Sequence, residues 1–334
     1  MRARLDRRGG GNLEPVPSAP ETVAVLAVAP SLMVAVERGP GGEVRDIHLH
    51  PGGQGFWVAR MAARLGARVT LVGPLGGEPG RAVRALIEAE GVEVSPIECH
   101  RPSAVWISSD KEGESATLAQ LEPSPLARHE ADGLVNAMLA AGLDAGVAVL
   151  TGGPPGVFPA DRYENLAHDL HALGGTVVAD LSHAPLRRAL AGGVDVLKVS
   201  DEDLVDSGLA GGPGPEDLWE GAEALREGGA RSVLISRAER PLLACLDGRR
   251  VGASTPSFRP VNHRGAGDAM TGAAAAALAR GMGPEDVLRL AVAAGALSVT
   301  RHGLGTGDGD AIARLAGRVR VEPAYSTSAG GRYS

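Results

Sequence analysis

At 334 residues and 44% hydrophobic content, the chain is long enough to bury a sizeable core. Its net charge of -7 is spread over interspersed signs and no basic run carries aromatics, which argues against a nucleic-acid partner. Two cysteines without CxxC or Cys/His neighbourhoods, no apolar signal region and no bilayer-length apolar run argue against disulfide scaffolds, structural zinc, secretion and membrane insertion, so a cytoplasmic location is expected.

Residues 1–21 read as a flexible N-terminal arm and 324–334 as a flexible tail, leaving 22–323 as one folded unit. Short apolar runs at Val23–Val28, Val69–Val72, Val147–Leu150, Thr176–Ala179, Val194–Leu197 and Ser232–Ile235 read as buried strands. Helical patterns alternate with them at Phe56–Leu65, Arg81–Glu90, Leu126–Ala141, Arg162–Leu173, Leu186–Ala191 and Glu216–Glu227. Such alternation predicts an α/β fold, a mainly parallel sheet with helices on both faces. Two stretches, about 33–49 and 92–121, break the pattern with the short segments Glu43–His48, Val92–Ile97, Ala104–Ser108 and Ser115–Leu118. These are expected to form a small β-sheet lid over a site. From Ala266 onward the pattern turns helical, with Ala269–Arg280, Pro284–Ser298 and Asp310–Leu315 closing the fold.

The segment Asn262-His263-Arg264-Gly265-Ala266-Gly267-Asp268 runs directly into the small-residue helix Ala269-Met270-Thr271-Gly272-Ala273. Backbone N–H groups at a helix start, with the positive end of its dipole, suit phosphate oxygens. Asp268 then stands where a base would accept a proton from an attacking hydroxyl. The bland alternative is a helix N-terminus with Asp in its first turn. A second cluster, His50-Pro51-Gly52-Gly53-Gln54-Gly55, also precedes a helix; on spacing alone, sterically required glycines in a tight connection explain it better than a phosphate or sugar contact. No nucleophile-elbow Gly-x-Ser-x-Gly and no Walker-type phosphate loop occur, which disfavours a hydrolase and a P-loop nucleotide site. His168 and His171 share one helix, and an exposed amphipathic face explains them better than a metal.

Pro51-Gly52-Gly53-Gln54-Gly55-Phe56-Trp57-Val58-Ala59-Arg60 and Gly265-Ala266-Gly267-Asp268-Ala269-Met270-Thr271-Gly272 together resemble the two signatures of the PfkB/ribokinase-type carbohydrate kinases, most like the 1-phosphofructokinase and tagatose-6-phosphate kinase branch. The resemblance covers roughly 22–323 and implies a ribokinase-like three-layer fold with a β-sheet lid. It implies ATP and Mg²⁺ as cofactors and phosphoryl transfer to a hydroxyl of a sugar or sugar phosphate, with no nucleic-acid or membrane partner and a possible homodimer through the lid sheet. On this pattern Asp268 is the base, with Gly265, Ala266 and Gly267 forming the anion hole. Gly52, Gly53 and Gln54 would meet the acceptor, Ser236, Arg264, Gly267 and Ser200 the nucleotide, and Asp203 the water around the metal. Two of these carry alternatives: Asp203 can simply belong to a helix start capped by Ser200, and Arg264 can be a solvated turn residue.

The pattern also shows departures. Met33 occupies the position of an acceptor-gripping aspartate, Gln54 that of a lysine and Trp57 that of an asparagine, and an arginine of the lid is replaced near Ala104. On the nucleotide side, Ala238 and Pro241 replace turn glycines and Ser200 an asparagine. Two alternatives to a sugar or sugar-phosphate kinase follow: a catalytically weak or inactive kinase-fold ligand binder, and a kinase for a non-phosphorylated acceptor such as a nucleoside.

Overall fold

The structure, a computed structural model, describes residues 21–111, 114–256, 258–259, 261, 264–300 and 304–324. Most of the predicted arm and tail, together with Asn262 and His263, lie outside the described residues. In chain order, β1 (Thr22–Leu26) leads into the hairpin β2 (Ser31–Arg38) and β3 (Val44–Gly52), then α1 (Gln54–Arg64), β4 (Arg68–Leu75), α2 (Gly77–Ala89) and β5 (Glu93–Glu98). A second hairpin, β6 (Ala104–Lys111) and β7 (Glu114–Leu121), precedes α3 (Arg128–Ala145), β8 (Val147–Thr151), α4 (Arg162–Ala172), β9 (Thr176–Asp180), α5 (His183–Gly192) and β10 (Val194–Ser200). The chain continues through α6 (Asp201–Asp206), α7 (Pro215–Glu227), β11 (Ala230–Ser236), β12 (Leu242–Leu246) and β13 (Arg249–Ser254), and ends with α8 (Ala266–Ala279), α9 (Pro284–Ser298), α10 (Gly309–Ala316) and β14 (Arg320–Pro323).

Ten strands form the main sheet in the order β14-β13-β12-β11-β10-β9-β8-β1-β4-β5. From β11 to β5 every pairing is parallel; β12, β13 and β14 add an antiparallel edge. Strand β1 shows why the apolar runs read correctly. Val23 and Val25 enter one core while Ala24 and Leu26 enter the other, so burial on both faces removes any polar alternation. One core lies under α1, α8 and α9, the other under α3, α4, α5 and α7. With few aromatics, the first core relies on close approach. Ala273 to Ala277 of α8 are at most 1% exposed, and a Cβ on Gly272 would stand 2.4 Å from the Val58 carbonyl oxygen of α1.

The smaller sheet has the order β3-β2-β6-β7, with β2 and β6 parallel and both hairpins antiparallel. One expectation needs correction. Val92–Ile97, assigned to the lid from its sequence, forms β5 and pairs parallel with β4 at the edge of the main sheet. Its half-buried middle, exposed ends and Pro96 are those of an edge strand, which resembles a lid strand in sequence. The chain leaves β1 for β4 on one side and later fills β8 on the other. The carboxyl ends of β1 and β8 therefore mark the point where strand order reverses, the crevice where α/β sheets bind ligands.

Candidate active site

Gly265 opens α8 with φ 75° and ψ 4°, a left-handed N-cap that glycine adopts without strain. The turn rests on the segment after α9: a Cβ on Gly265 would lie 3.1 Å from Leu304 Cβ and 3.3 Å from Gly305 N. That segment is itself held by α1. Arg60 donates to the Leu304 carbonyl, and Gly305 sits against the Trp57 backbone. Trp57, expected at a polar acceptor position, is thus partly buried as packing under the glycine turn.

Asp268 lies in the first turn of α8 and is partly buried. Burial, then the nearby Asp180 carboxylate, push its pKa up to about 7, against the opposing pull of Lys198. Lys198 and Asp180 had no assigned role in the sequence reading. Both project from the ends of adjacent parallel strands, Lys198 being in register with Asp180, and Lys198 Nζ lies 3.5 Å from Asp180 Oδ1. The other oxygen of Asp180 accepts from Thr271 Oγ1 at 2.8 Å, which ties the strand end to α8. Burial lowers the Lys198 pKa, but Asp180, Asp268 and Asp203 outweigh it, so the ammonium is held above its ordinary value and stays cationic. Its position is tight. A Cβ on Gly267 would stand 2.3 Å from Lys198 Nζ, so the absence of a side chain at 267 lets the cation lie against the glycine turn. A signal for Lys198 was present in the sequence, because a charge inside a strand buried on both faces must be paired.

The turn before α1 is also braced. Gln54 donates Nε2 to the Asp180 carbonyl at 3.2 Å and accepts from Gly152 N at 3.0 Å. The amide links the ends of β8 and β9. Gly53 has φ 104°, and a Cβ there would be 2.8 Å from the Ala29 carbonyl oxygen, so Gly53 presses against the link between β1 and β2, while Gly52 faces Ser31 and Met33 of β2.

On the nucleotide side, Ser200 caps α6: its Oγ accepts from Asp203 N at 3.0 Å and donates to Asp203 Oδ2 at 2.7 Å. The capping alternative is therefore present, and Asp203 still faces Lys198 closely enough to raise its pKa. Ser236 donates to the Val199 carbonyl at 3.3 Å, and Arg264 lies exposed at the turn. Ala238 adopts φ 49°, the left-handed geometry of the glycine it replaces, so the turn keeps its backbone shape at a cost of about 1 kcal/mol. Of the two histidines on α4, His168 is exposed beside Asp169, whereas His171 Nε2 lies 2.8 Å from Asp195. Among the described residues no group of three or more His, Cys, Asp or Glu could hold a metal ion, and no helix is long and apolar enough to cross a membrane.

Known proteins combine the same parts. Residues 25–310 match the model of the family described as pfkB family carbohydrate kinase. ATP-dependent 6-phosphofructokinase isozyme 2 of Escherichia coli is 27% identical over 295 residues, covering 84% of this chain and 93% of the relative. The 1-phosphofructokinase of Escherichia coli is 28% identical over 294 residues, covering 86% and 92%. A crystal structure of phosphofructokinase-2 from Escherichia coli in complex with potassium superposes with a TM-score of 0.78 at 26% identity, covering 89% of this chain and 98% of that one. With the family model matched over most of the chain and these relatives aligned over most of it too, this protein belongs to the pfkB family of carbohydrate kinases, close to the 1-phosphofructokinase branch.

Proposed function

We propose that the protein transfers the γ-phosphoryl group of ATP to a hydroxyl of a sugar or sugar phosphate, with Asp268 as the base. The observation that carries this reading is the cluster at the start of α8: a carboxylate titrating at about 7, an ammonium against Gly267 and an open helix N-terminus. A base works best when its pKa lies near the working pH. The acceptor oxygen attacks the γ-phosphorus and its proton passes to Asp268. The bond to the bridging oxygen breaks, and ADP leaves with that electron pair. Negative charge on the transferred group is met by the N–H groups of Gly265 to Gly267 and by Lys198.

When bound with the nucleotide, Mg²⁺ would supply charge neutralisation. The donor set here suits such a metal only at second hand, because the described residues hold no three-ligand cluster and Asp203 is engaged by Ser200. Asp203, with Asp180 across Lys198 from it, would orient its waters. Ser236, Arg264 and the Ala238 turn would line the nucleotide.

The outward face of the lid keeps Ile47 52%, Leu49 51% and Leu121 43% exposed, which supports a homodimer formed lid to lid. Leu49→Glu is expected to halve the mass measured by sedimentation while leaving the fold unchanged; an unaltered mass argues against the lid contact. The transfer reading is tested by ADP release with sugars and sugar phosphates. Turnover that Asp268→Asn lowers by about 10²–10⁴-fold supports it; a panel with no Asp268-dependent turnover contradicts it.

A further inference from the structure

Cross-strand register aligns Gln120, Trp106, Met33 and His50 in one row across the lid. At the root of the same face, Ser31 and Ala104 are 4% and 1% exposed, and Gly52 is buried with them. Met33 leans down onto this root: a Cβ on Gly52 would meet its Cγ at 2.7 Å. The row therefore overhangs the Gly52–Gly53 turn, and its most prominent surface is the partly exposed Trp106 beside a thioether. At the outer end of the same face stand Glu37, Asp46 and Asp110, with His48 Nε2 3.6 Å from both Glu37 and Asp46. No Lys or Arg occupies any of these positions. Two nearby cations are engaged elsewhere: Lys198 with Asp180, and Arg60, whose charge still reaches His50, with the Leu304 carbonyl and Glu90.

Among the described residues of this lid row, a phosphate ester would meet carboxylates and a hydrophobic ring, with no guanidinium or ammonium in the row itself to replace its lost hydration. An uncharged ring meets complementary groups, because an aromatic face accepts the C–H face of a sugar or the flat face of a base alike. We infer that the acceptor is an uncharged, hydroxyl-bearing ring compound seated against Trp106 and Met33 and not a phosphate ester. This narrows the acceptor of the phosphotransferase reading and rests on it. Trp106 and Met33 are its specificity-determining residues.

The test is calorimetry on the full chain with the nucleotide site saturated by a non-hydrolysable ATP analogue and Mg²⁺. The probes are ribose, fructose and adenosine, each against its ester: ribose 5-phosphate, fructose 6-phosphate and adenosine 5′-monophosphate. At least one uncharged probe is expected to bind at least about tenfold more tightly than its ester, with adenosine pointing to nucleosides and ribose or fructose to free sugars. Trp106→Ala should weaken that probe about tenfold, and Met33→Arg should narrow or invert the gap. Preference for an ester, an unchanged affinity in Trp106→Ala, or no binding by any uncharged probe overturns the inference. Parallel ADP release separates it from the transfer chemistry. Uncharged binding without turnover keeps the acceptor assignment and sinks the kinase reading, whereas Asp268-dependent turnover of esters alone does the reverse.

Discussion

The carboxylate of Asp268 sits between a like charge, Asp180, and an opposite one, Lys198, and its pKa of about 7 is the balance of burial and these two neighbours. Its folded pKa lies above the ordinary 3.8, so ionisation opposes folding. Stability is expected to decline as pH rises from about 4 to about 7, then to level off. Asp268→Asn removes the penalty and should raise Tm by about 2 °C or more at pH 8 while abolishing turnover; a lowered Tm would mean the charge stabilises the fold. Lys198→Met leaves the two carboxylates facing each other, so the acid limb of the pH–rate profile should move upward, which a pH-jump assay detects. Gly267→Ala tests the cation's position from the other side. The obstructing atom is the tip of a flexible side chain, so the protein should fold normally yet lose about 10–100-fold in turnover as Lys198 is displaced. The glycine turn and its aspartate were legible in the sequence because they are contiguous. A buried charge at Lys198 was legible too, but its pairing with Asp180 was not, because the two are 18 residues apart and meet only through parallel pairing, and the hydrogen bond from Thr271 spans 91 residues.

Helices and strands hold these groups by close contacts that leave little tolerance. Gly272→Ala would drive a methyl into the α1 backbone, so a loss of about 1–3 kcal/mol is expected in a denaturant titration, with activity per folded molecule retained. The contrast with Gly267→Ala separates a packing glycine from a catalytic one. At the root of the second lid hairpin, buried Glu130 of α3 accepts from His100 N at 2.9 Å and Ala127 N at 2.7 Å, tying together the chain before β6 and after β7. Burial pushes its pKa up, but the two N–H groups outweigh that and hold it below the ordinary 4.5. Its contribution is therefore present above that value and fades as pH falls below it. Glu130→Gln should cost about 1–2 kcal/mol, raise KM more than it lowers kcat, and speed hydrogen exchange in β6; unchanged exchange would show that the lid root does not depend on it. The doubly buried strands were readable from continuous apolar runs. Strand β5 was misplaced because its alternating sequence with Pro96 carries the same local pattern as the lid, and only pairing with β4 distinguishes them.

Across the whole molecule, the sheet brings the ends of β1, β8, β9 and β10 to one edge, α8 closes over them, and the lid overhangs the same edge. Family membership and fold follow from motif order over most of the chain. The lid's residues give it a neutral-to-acidic inner face and an apolar outer one, and these are properties of this chain. The proposed transfer rests on Asp268 acting as a base near neutrality. The direct measurement is the pH dependence of kcat/KM between pH 5.5 and 8.5, for wild type and Asp268→Asn, with an acceptor that the wild type turns over. An acid limb with an apparent pKa of about 7 that vanishes with the activity in Asp268→Asn is the predicted result. An Asp268→Asn protein retaining turnover within about tenfold, or a profile flat through pH 7, would contradict it.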